Sequence, residues 1–187
     1  MDLGLDQRVV VVTGGSSGIG KACAREFAKE GCRVAICGRD SQRLIAAVDE
    51  FRREGVEVFS GVADATNSDQ LKTFAASVAA YYGGIDVWIN NAGKAAVQYL
   101  IEIGEDEFDE MFRQNVTSVF AGSRVAAEYM KMGRGGVIVN ASSFAALMPA
   151  SGRGHMQQRR PQSLASRAAS RRSSGLTAFA CWLMLPV

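Results

Sequence analysis

The stretch from Arg8 to Gly20, RVVVVTGGSSGIG, constrains the fold of this chain more than any other segment. Val9 to Val12 form an apolar, β-branched run without polar alternation, which is typical of a buried parallel strand. The run passes through Thr13 into glycines, which let the backbone turn tightly and approach a ligand. A helix beginning near Gly18 would direct its free N–H groups and positive dipole end at that turn. The segment predicts a strand, a diphosphate-binding turn and a helix.

A second nucleotide-binding pattern overlaps this turn. Residues 15–21 fit G-x-x-x-x-G-K, the loop of nucleoside triphosphatases, which also requires a Ser or Thr hydroxyl directly after the lysine to hold Mg²⁺. Ala22 occupies that position and has no side-chain oxygen, so the sequence disfavours a triphosphate. A strand–turn–helix corner with no ligand stays open as the alternative to a diphosphate site.

Composition is that of an ordinary globular protein. The 187 residues, 48% of them hydrophobic and 21% charged, suit one domain with a proper core. We expect no transmembrane helix, because no apolar run approaches the roughly 18 residues that a bilayer requires, and no secretory signal. Four cysteines, Cys23, Cys32, Cys37 and Cys181, show neither paired nor metal-like spacing. Free thiols, no metal site and a cytoplasmic location are therefore expected.

Apolar runs alternate with helical periods as far as residue 140. After the first strand, the predicted strands are Arg33–Cys37, 56–62, Asp86–Ile89 and Gly136–Asn140. The later predicted helices are Ser41–Glu54, with Leu44, Ile45, Val48 and Phe51 on one face, and Ser68–Tyr82. A long helix follows, with Phe108, Met111, Phe112, Val116, Val119 and Phe120 at i, i+3, i+4 spacing. This alternation predicts an α/β fold of the Rossmann type, a doubly wound parallel sheet in three α/β/α layers.

Polar turns follow three of these strands. They are the glycine-rich turn, NNAG at 90–93, and the pair Ser142 and Ser143. Ligands of doubly wound sheets bind outside the carboxyl ends of the strands, near the point where the strand order reverses. We therefore expect the three turns to line one crevice.

Four motifs, in this order, resemble the short-chain dehydrogenase/reductase family. They are TGGSSGIG after the first strand, NNAG after the fourth, Asn115 inside the long helix, and NASS after the fifth strand. The resemblance extends from residue 7 to about 155 and points to an NADP-preferring member similar to 3-oxoacyl reductases. We interpret residues 1–155 as a dinucleotide-binding core and residues 156–187 as a tail outside the family pattern.

The resemblance implies which residues would hold the dinucleotide. The diphosphate and the adjoining ribose would lie against Gly14, Ser16, Ser17, Gly18, Ile19 and Gly20. Asp64 matches the acid that accepts a hydrogen bond from the adenine amino group, and its alternative role is to cap the next helix. Asn91, Ala92 and Gly93 match the wall beside the nicotinamide ribose, and they would also make a strand-ending turn.

The end of the second strand bears on the choice between NADP(H) and NAD(H). An acid there would bind a free ribose 2′-hydroxyl and repel a 2′-phosphate, whereas this chain has Gly38 and then Arg39. A guanidinium is well shaped for a phosphate. Asp40 argues for NAD(H), but RDSQ also predicts a helix cap by Asp40 or Ser41. We favour NADP(H) over NAD(H).

In the family, a Tyr exchanges the alcohol proton, a Lys one helical turn later lowers the pKa of that Tyr, a Ser orients the substrate oxygen, and an Asn holds a water chain. Ser143 matches the Ser and Asn115 the Asn. At the family's spacing from Ser143, the Tyr position falls on Met156 and the Lys position on Arg160, and no Tyr or Lys occurs after residue 131. Methionine cannot transfer a proton, so the chain as written lacks the acid–base pair.

The tail differs sharply in composition. Five of the 21 Lys and Arg residues, and none of the 19 acids, lie in 156–187. A basic arm for nucleic acid or membrane is disfavoured, because the arginines share no clear face and no aromatic residue lies between them. A divergent but functional ending is a second possibility. We interpret the tail as a shifted reading frame, because permitted codons of the neighbouring frame spell a Tyr-x-x-x-Lys segment starting across His155 and Met156.

The frameshift interpretation has consequences for the sheet, the oligomeric state and the activity of the protein. We expect the sheet to be incomplete at its C-terminal side, the fifth strand to be uncovered, and the tail to be irregular or disordered. Complete family members are homo-oligomers that use the long helix in their interface, so exposed apolar surface is expected here. The gene would encode a reductase of a small carbonyl compound or a dehydrogenase of a secondary alcohol. The alternative is an inactive nucleotide-binding fragment.

The frameshift interpretation makes a direct prediction about the coding DNA. When the DNA after the codon of Ser143 is translated in all three frames, one of the other two frames should contain a Tyr followed one helical turn later by a Lys. If neither frame encodes that pair, the interpretation fails.

Overall fold

Six strands form a mixed sheet in the order β3-β2-β1-β4-β5-β6 in the computed structural model, which describes residues 3–94, 100–142 and 183–186. The strands are β1 (Val9–Thr13), β2 (Arg33–Gly38), β3 (Val58–Val62), β4 (Val87–Asn90), β5 (Val137–Asn140) and β6 (Leu183–Pro186). The helices are α1 (Gly18–Lys29), α2 (Ser41–Arg53), α3 (Ser68–Tyr82), α4 (Glu105–Phe112) and α5 (Ser118–Met132), with a short 3-10 helix at Leu100–Glu102.

The first strand is buried on both faces, as its unbroken valine run predicts. All five of its residues are buried. Val9 and Val11 belong to one core cluster, and Val10 and Val12 belong to the other, since successive side chains of a strand point to opposite faces. The strand therefore joins two separate cores and lies at the centre of the molecule.

Helices cover both faces of this sheet. Ala24 of α1 and Phe51 of α2 pack into one core, whereas Leu71 of α3 and Val125 of α5 pack into the other. Strands β1 to β5 are all parallel to their neighbours. The expected doubly wound, three-layer α/β/α fold is confirmed.

The strand order reverses between β1 and β4. From β1 the chain moves outward to β2 and β3, and then returns to place β4 on the other side of β1. This reversal separates the turn after β1 from the turn after β4 by one strand spacing, about 4.8 Å. The two turns therefore face each other across the crevice in which such sheets bind ligands.

Three apolar side chains of the predicted helices lie outside the buried stripe and are exposed. Ile45 is 56% exposed, and Phe112 and Phe120 are 53% and 66% exposed. Each lies next to a buried residue, Leu44, Met111 or Ala121 respectively, and one position along a helix rotates the side chain by about 100°. That rotation carries it out of the stripe that faces the sheet.

The predicted long helix is interrupted by a π-helical segment. Residues Arg113–Thr117 connect α4 to α5 without a break in the chain direction. A π turn adds a residue to the helical repeat, because its hydrogen bonds join residues five apart instead of four. The extra residue shifts the buried stripe of the helix. Such segments often occur at functional sites, and Asn115 lies in this one.

The expectation of an uncovered fifth strand is wrong. Leu183–Pro186 form β6 and pair antiparallel with β5, so that the β5 edge is occupied. The reason is backbone hydrogen bonding, which depends little on side-chain identity and lets a sequence outside the family pattern complete a strand pair. Among the described ranges, no helix is both long and apolar enough to cross a bilayer.

Candidate functional site: a dinucleotide crevice

The glycine turn after β1 is held against the end of β2. The amide of Gly15 donates to the carbonyl of Cys37 at 3.1 Å. Gly14 has φ +66°, and Gly18 has φ +53°, so both adopt the left-handed conformation that glycine tolerates best. A Cβ at Gly15 would lie 2.6 Å from the side chain of Ile36. The turn is thus tight, and its packing against β2 excludes a larger residue.

The first turn of α1 is open toward the crevice. Ser17 is the N-cap residue, yet its side chain makes no capping hydrogen bond, and no acidic residue lies in the first turn. Ser17 and Gly18 are exposed, and Ile19 is 72% exposed. The N–H groups of a helix start normally require an acceptor. This end of α1 therefore fits an anionic group such as a diphosphate, which can accept from N–H groups and is favoured by the helix dipole.

Gly20 lets α1 approach the turn after β4. A Cβ at this position would lie 2.4 Å from the carbonyl oxygen of Gly14 and 2.4 Å from Nδ2 of Asn91. Real Cβ atoms do not come so close to a backbone oxygen, so a side chain would push the helix away. The cradle therefore depends on the absence of a side chain at Gly20, which is an observation of shape that supports the fit of a dinucleotide.

Thr13 joins the turns after β1 and β4. Its hydroxyl accepts hydrogen bonds from the amides of Asn91 and Ala92, both at 3.1 Å, and donates to the carbonyl of Ile89 at 3.3 Å. Thr13 is 1% exposed. Nδ2 of Asn91 in turn donates to the carbonyls of Thr13 and Gly14, at 3.2 and 3.4 Å. The predicted meeting of these two turns in one crevice is seen directly.

Thr13 and Asn90 are two further residues of this site, and neither was predicted from the sequence. Asn90 is 3% exposed, and its Oδ1 accepts from the indole N–H of Trp88 at 2.8 Å. Its Nδ2 donates to Oδ1 of Asn140 at 2.8 Å and to Oγ of Ser123 at 3.0 Å. Both residues are polar and end an apolar strand, and this pattern could have identified them from the sequence. A polar side chain that is buried at the end of a strand needs hydrogen-bond partners inside the protein.

Asn115 clamps the backbone that follows the fourth strand. Its Oδ1 accepts from the amide of Lys94 at 3.0 Å, and its Nδ2 donates to the carbonyls of Lys94 at 2.9 Å and Met111 at 3.0 Å. A Cβ at Gly93 would lie 2.7 Å from Oδ1 of Asn115. The π segment therefore positions the loop of Asn91, Ala92 and Gly93. The water-holding role of Asn115 stays a prediction.

The end of β2 carries the exposed cation Arg39. Arg39 is exposed, and within the described ranges no carboxylate lies within ion-pair distance of it. Asp40 accepts from the amide of Arg43 at 3.1 Å and pairs with Nε of Arg43 at 3.2 Å. Of the two predicted capping residues, Asp40 is the one that caps α2. Ser16 lies close by, since a Cβ at Gly38 would be 3.1 Å from its hydroxyl.

Asp64 does not cap the following helix, so that alternative role is wrong. Asn67 caps α3 by accepting from the amides of Asp69 and Gln70, at 3.0 and 3.1 Å. Oδ1 of Asp64 instead accepts from the amide and the hydroxyl of Thr66, each at 2.9 Å. Asp64 thereby shapes the turn that follows β3.

The cysteines carry no negative charge into this crevice. Cys23, Cys32 and Cys37 are free thiols, and Cys181 lies outside the described residues. Cys37 is buried at the end of β2, and burial raises the pKa of its thiol to about 12, so that it stays neutral near pH 7. Among the described residues, no group of three or more His, Cys, Asp or Glu could hold a metal ion.

The substrate side of the predicted site lies outside the described residues. Strand β5 ends at Asn140, and the amide of Ala141 donates to the carbonyl of Asn90 at 2.9 Å. Ser143, Met156 and Arg160, on which the catalytic interpretation depends, are not described. The structure thus brings the glycine turn, the end of β2, the turn after β4 and Asn115 together, whereas Asp64 lies in the turn that follows β3.

The contact between Gly93 and Asn115 predicts a specific energetic coupling. Gly93→Ala should lower the free energy of unfolding by about 1–3 kcal/mol, because its Cβ would displace the clamping side chain. In an Asn115→Ala background the obstructing atoms are gone, so the same change should cost at least about 1 kcal/mol less. Urea unfolding of the four proteins measures the coupling, and strictly additive effects would rule out the clamp.

Comparison with known proteins agrees with this geometry. The family model described as short chain dehydrogenase matches residues 8–155. An uncharacterized oxidoreductase of Thermotoga maritima is 34% identical over 74% of this chain and 54% of its own length. A putative ketoacyl reductase of the granaticin polyketide synthase of Streptomyces violaceoruber is 38% identical over 60% of this chain and 41% of its own. This chain thus spans about half the length of these curated relatives.

Solved structures show the same fold. A variant of actinorhodin polyketide ketoreductase, solved with NADPH, has a TM-score of 0.76 and 28% identity, over 88% of this chain and 62% of that one. A short chain dehydrogenase/reductase of Burkholderia phymatum, solved in complex with NAD, has a TM-score of 0.76 and 29% identity, over 89% and 57%. With a family match over residues 8–155, which is most of its length, the chain belongs to the short-chain dehydrogenase/reductase family.

Proposed function

We propose that the crevice binds NADP(H) across the carboxyl ends of β1, β2 and β4. The open first turn of α1 carries this proposal, because its exposed N–H groups and the dipole of α1 suit a diphosphate. Gly14, Ser16, Ser17, Gly18, Ile19 and Gly20 would form the cradle. Asn91, Ala92 and Gly93 would form the wall beside the nicotinamide ribose. A bound nicotinamide dinucleotide supplies hydride chemistry to such a site.

Two charged residues define the adenine end in this proposal. Arg39, which lacks a carboxylate partner among the described residues, would pair with the ribose 2′-phosphate. The acid that would favour NAD(H), Asp40, already accepts from the N-terminal turn of α2 and pairs with Arg43. Asp64 uses Oδ1 for Thr66 and would offer Oδ2 to the adenine amino group.

The reaction that fits the family is reduction of a carbonyl compound or oxidation of a secondary alcohol. Relatives named as ketoacyl reductases support a 3-oxoacyl-like substrate class for the complete protein. Ser143 would orient the substrate oxygen, and Asn115 would support the water chain while holding the wall loop. Both roles are inferred from the family pattern.

A second candidate is a binding module without turnover, and one sequence observation favours it. Neither Tyr nor Lys occurs after residue 131 in this chain. An unperturbed phenol has a pKa near 10, and the family uses a nearby cation to lower it, so a chain with neither group has no proton donor for the alcohol oxygen. We propose that the polypeptide of this sequence holds the dinucleotide and turns over little or no substrate.

For the complete protein of this lineage we further propose a homo-oligomer in the cytoplasm that acts on a small molecule, without nucleic acid or membrane partners. Phe112 and Phe120, both more than half exposed, lie on the α4–α5 helical segment, where a second copy could cover them. The three free cysteines described suit a reducing compartment.

The role of Arg39 predicts a change in cofactor preference. Arg39→Ala should weaken NADPH binding about 10- to 100-fold, because a charge-assisted hydrogen bond contributes about 1.5–3 kcal/mol. NADH binding should change by less than about threefold, since NADH has no 2′-phosphate. Dissociation constants from fluorescence titration of the purified chain measure both effects.

Arg53→Ala is the matched control. Arg53 is also exposed, and it lies near the end of α2 with its Nε donating to the carbonyl of Asp49 at 3.2 Å. Its removal should leave both affinities unchanged. Equal losses of NADPH affinity in the two variants, or tighter binding of NADH than of NADPH by the unaltered chain, would refute the assignment of NADP(H).

A further inference from the structure

The outer edge of β5 is a surface that requires a partner strand. β5 is the last of the parallel strands, and its sequence VIVN is largely apolar. One edge pairs with β4 through Val87 to Asn90. Left open, the opposite edge would present unpaired N–H and C=O groups to strands of other molecules, which is a common route to aggregation.

A segment of the tail occupies this edge. The paired residues are Val137 with Pro186, Ile138 with Leu185, Val139 with Met184, and Asn140 with Leu183. The register is antiparallel and continuous over the full length of both strands. The partner strand therefore comes from residues that lie outside the family match, which ends at residue 155.

The tail strand also has the properties of a sheet terminus. β6 is only four residues long and includes Pro186. Short edge strands and edge prolines are two ways in which proteins prevent further pairing, because proline has no N–H to donate. A sheet that ends in β6 is therefore less open to addition of another strand than one that ends in β5.

We propose that residues 183–186 act as an edge cap, which closes the β5 edge within the same chain. The connection of residues 141–182 is long enough to allow pairing either within a chain or between two copies. In the structure both strands belong to one chain, so the cap is intramolecular.

The cap touches the strand that supports the crevice. Leu183 pairs with Asn140, and Oδ1 of Asn140 accepts from the buried Asn90 at 2.8 Å. Asn90 is followed directly by Asn91, which bonds to Thr13 and Gly14. The cap therefore steadies the carboxyl end of β5, although it makes no contact that the cofactor cradle itself requires.

Engineered disulfides test the register and the molecularity of this pairing. In a Cys181→Ser background, Val139→Cys with Met184→Cys and Ile138→Cys with Leu185→Cys form two pairs that face each other in the register. Opposed residues alternate between closer and wider spacing, so at least one pair should suit a disulfide. The mismatched control, Val139→Cys with Leu185→Cys, places the two side chains on opposite faces of the sheet.

The expected result is an intramolecular disulfide in monomers of at least one in-register variant and none in the control. Mass spectrometry of oxidised full-length protein identifies the link, and non-reducing gels separate monomers from dimers. The proposal is overturned if neither in-register pair cross-links, if the link occurs only between chains, or if the control cross-links equally well.

Removal of the cap provides a second measurement. A chain that lacks residues 183–187 should form larger and more heterogeneous species in sedimentation velocity than the full chain and a chain lacking only Val187 form at the same concentration. The melting temperature of the shortened chain should still rise when NADPH is added. That rise distinguishes the loss of the cap from a loss of the cofactor site. An unchanged sedimentation profile of the shortened chain would contradict the cap.

Discussion

The hydroxyl of Thr13 is the contact on which the crevice depends. It lies at the end of a strand that is buried on both faces, and it accepts from two consecutive amides of the turn after β4. Loss of this hydroxyl would leave buried N–H groups without a partner, at a cost of about 1–3 kcal/mol each. Because the same turn presents Asn91 to Gly14 and Gly20, one oxygen fixes the glycine turn and the turn after β4 relative to each other.

Around this contact the site divides into two halves of different character. The cofactor half is built from backbone: an uncapped helix end, a tight glycine turn and a loop that Asn115 clamps at Lys94. The binding proposed for this half rests on that backbone together with Arg39 and Asp64. The chemical half requires a proton donor, and no Tyr or Lys follows residue 131 to supply it. We therefore propose that binding and turnover are separable in this chain.

Much of the fold could be predicted because its signals are local. The valine run of β1 and the glycines after it define the strand, the turn and the helix before any tertiary contact is known. The family pattern assigned Asn91 and Asn115, and the structure brings both into the crevice. Asp40 was correctly named as a capping candidate because its spacing to the α2 start is short.

Other features depend on packing, which periodicity describes only coarsely. Ile45, Phe112 and Phe120 are apolar yet exposed. The buried stripe of a helix is about 100° wide, and each of these residues lies one position away from a residue in that stripe. The partners of Thr13 and Asn90 come from strands far apart in the sequence. The pairing of β6 rests on backbone hydrogen bonds, which carry little sequence signal.

The central claim is that this chain holds a dinucleotide and does not use it. The most direct measurement combines, on one sample of the purified chain, the melting temperature with and without NADPH and the rate of NADPH oxidation with 3-oxoacyl and other carbonyl substrates. The account predicts a higher melting temperature with NADPH and no oxidation above the enzyme-free background. Substrate-dependent oxidation of NADPH by this polypeptide would contradict it.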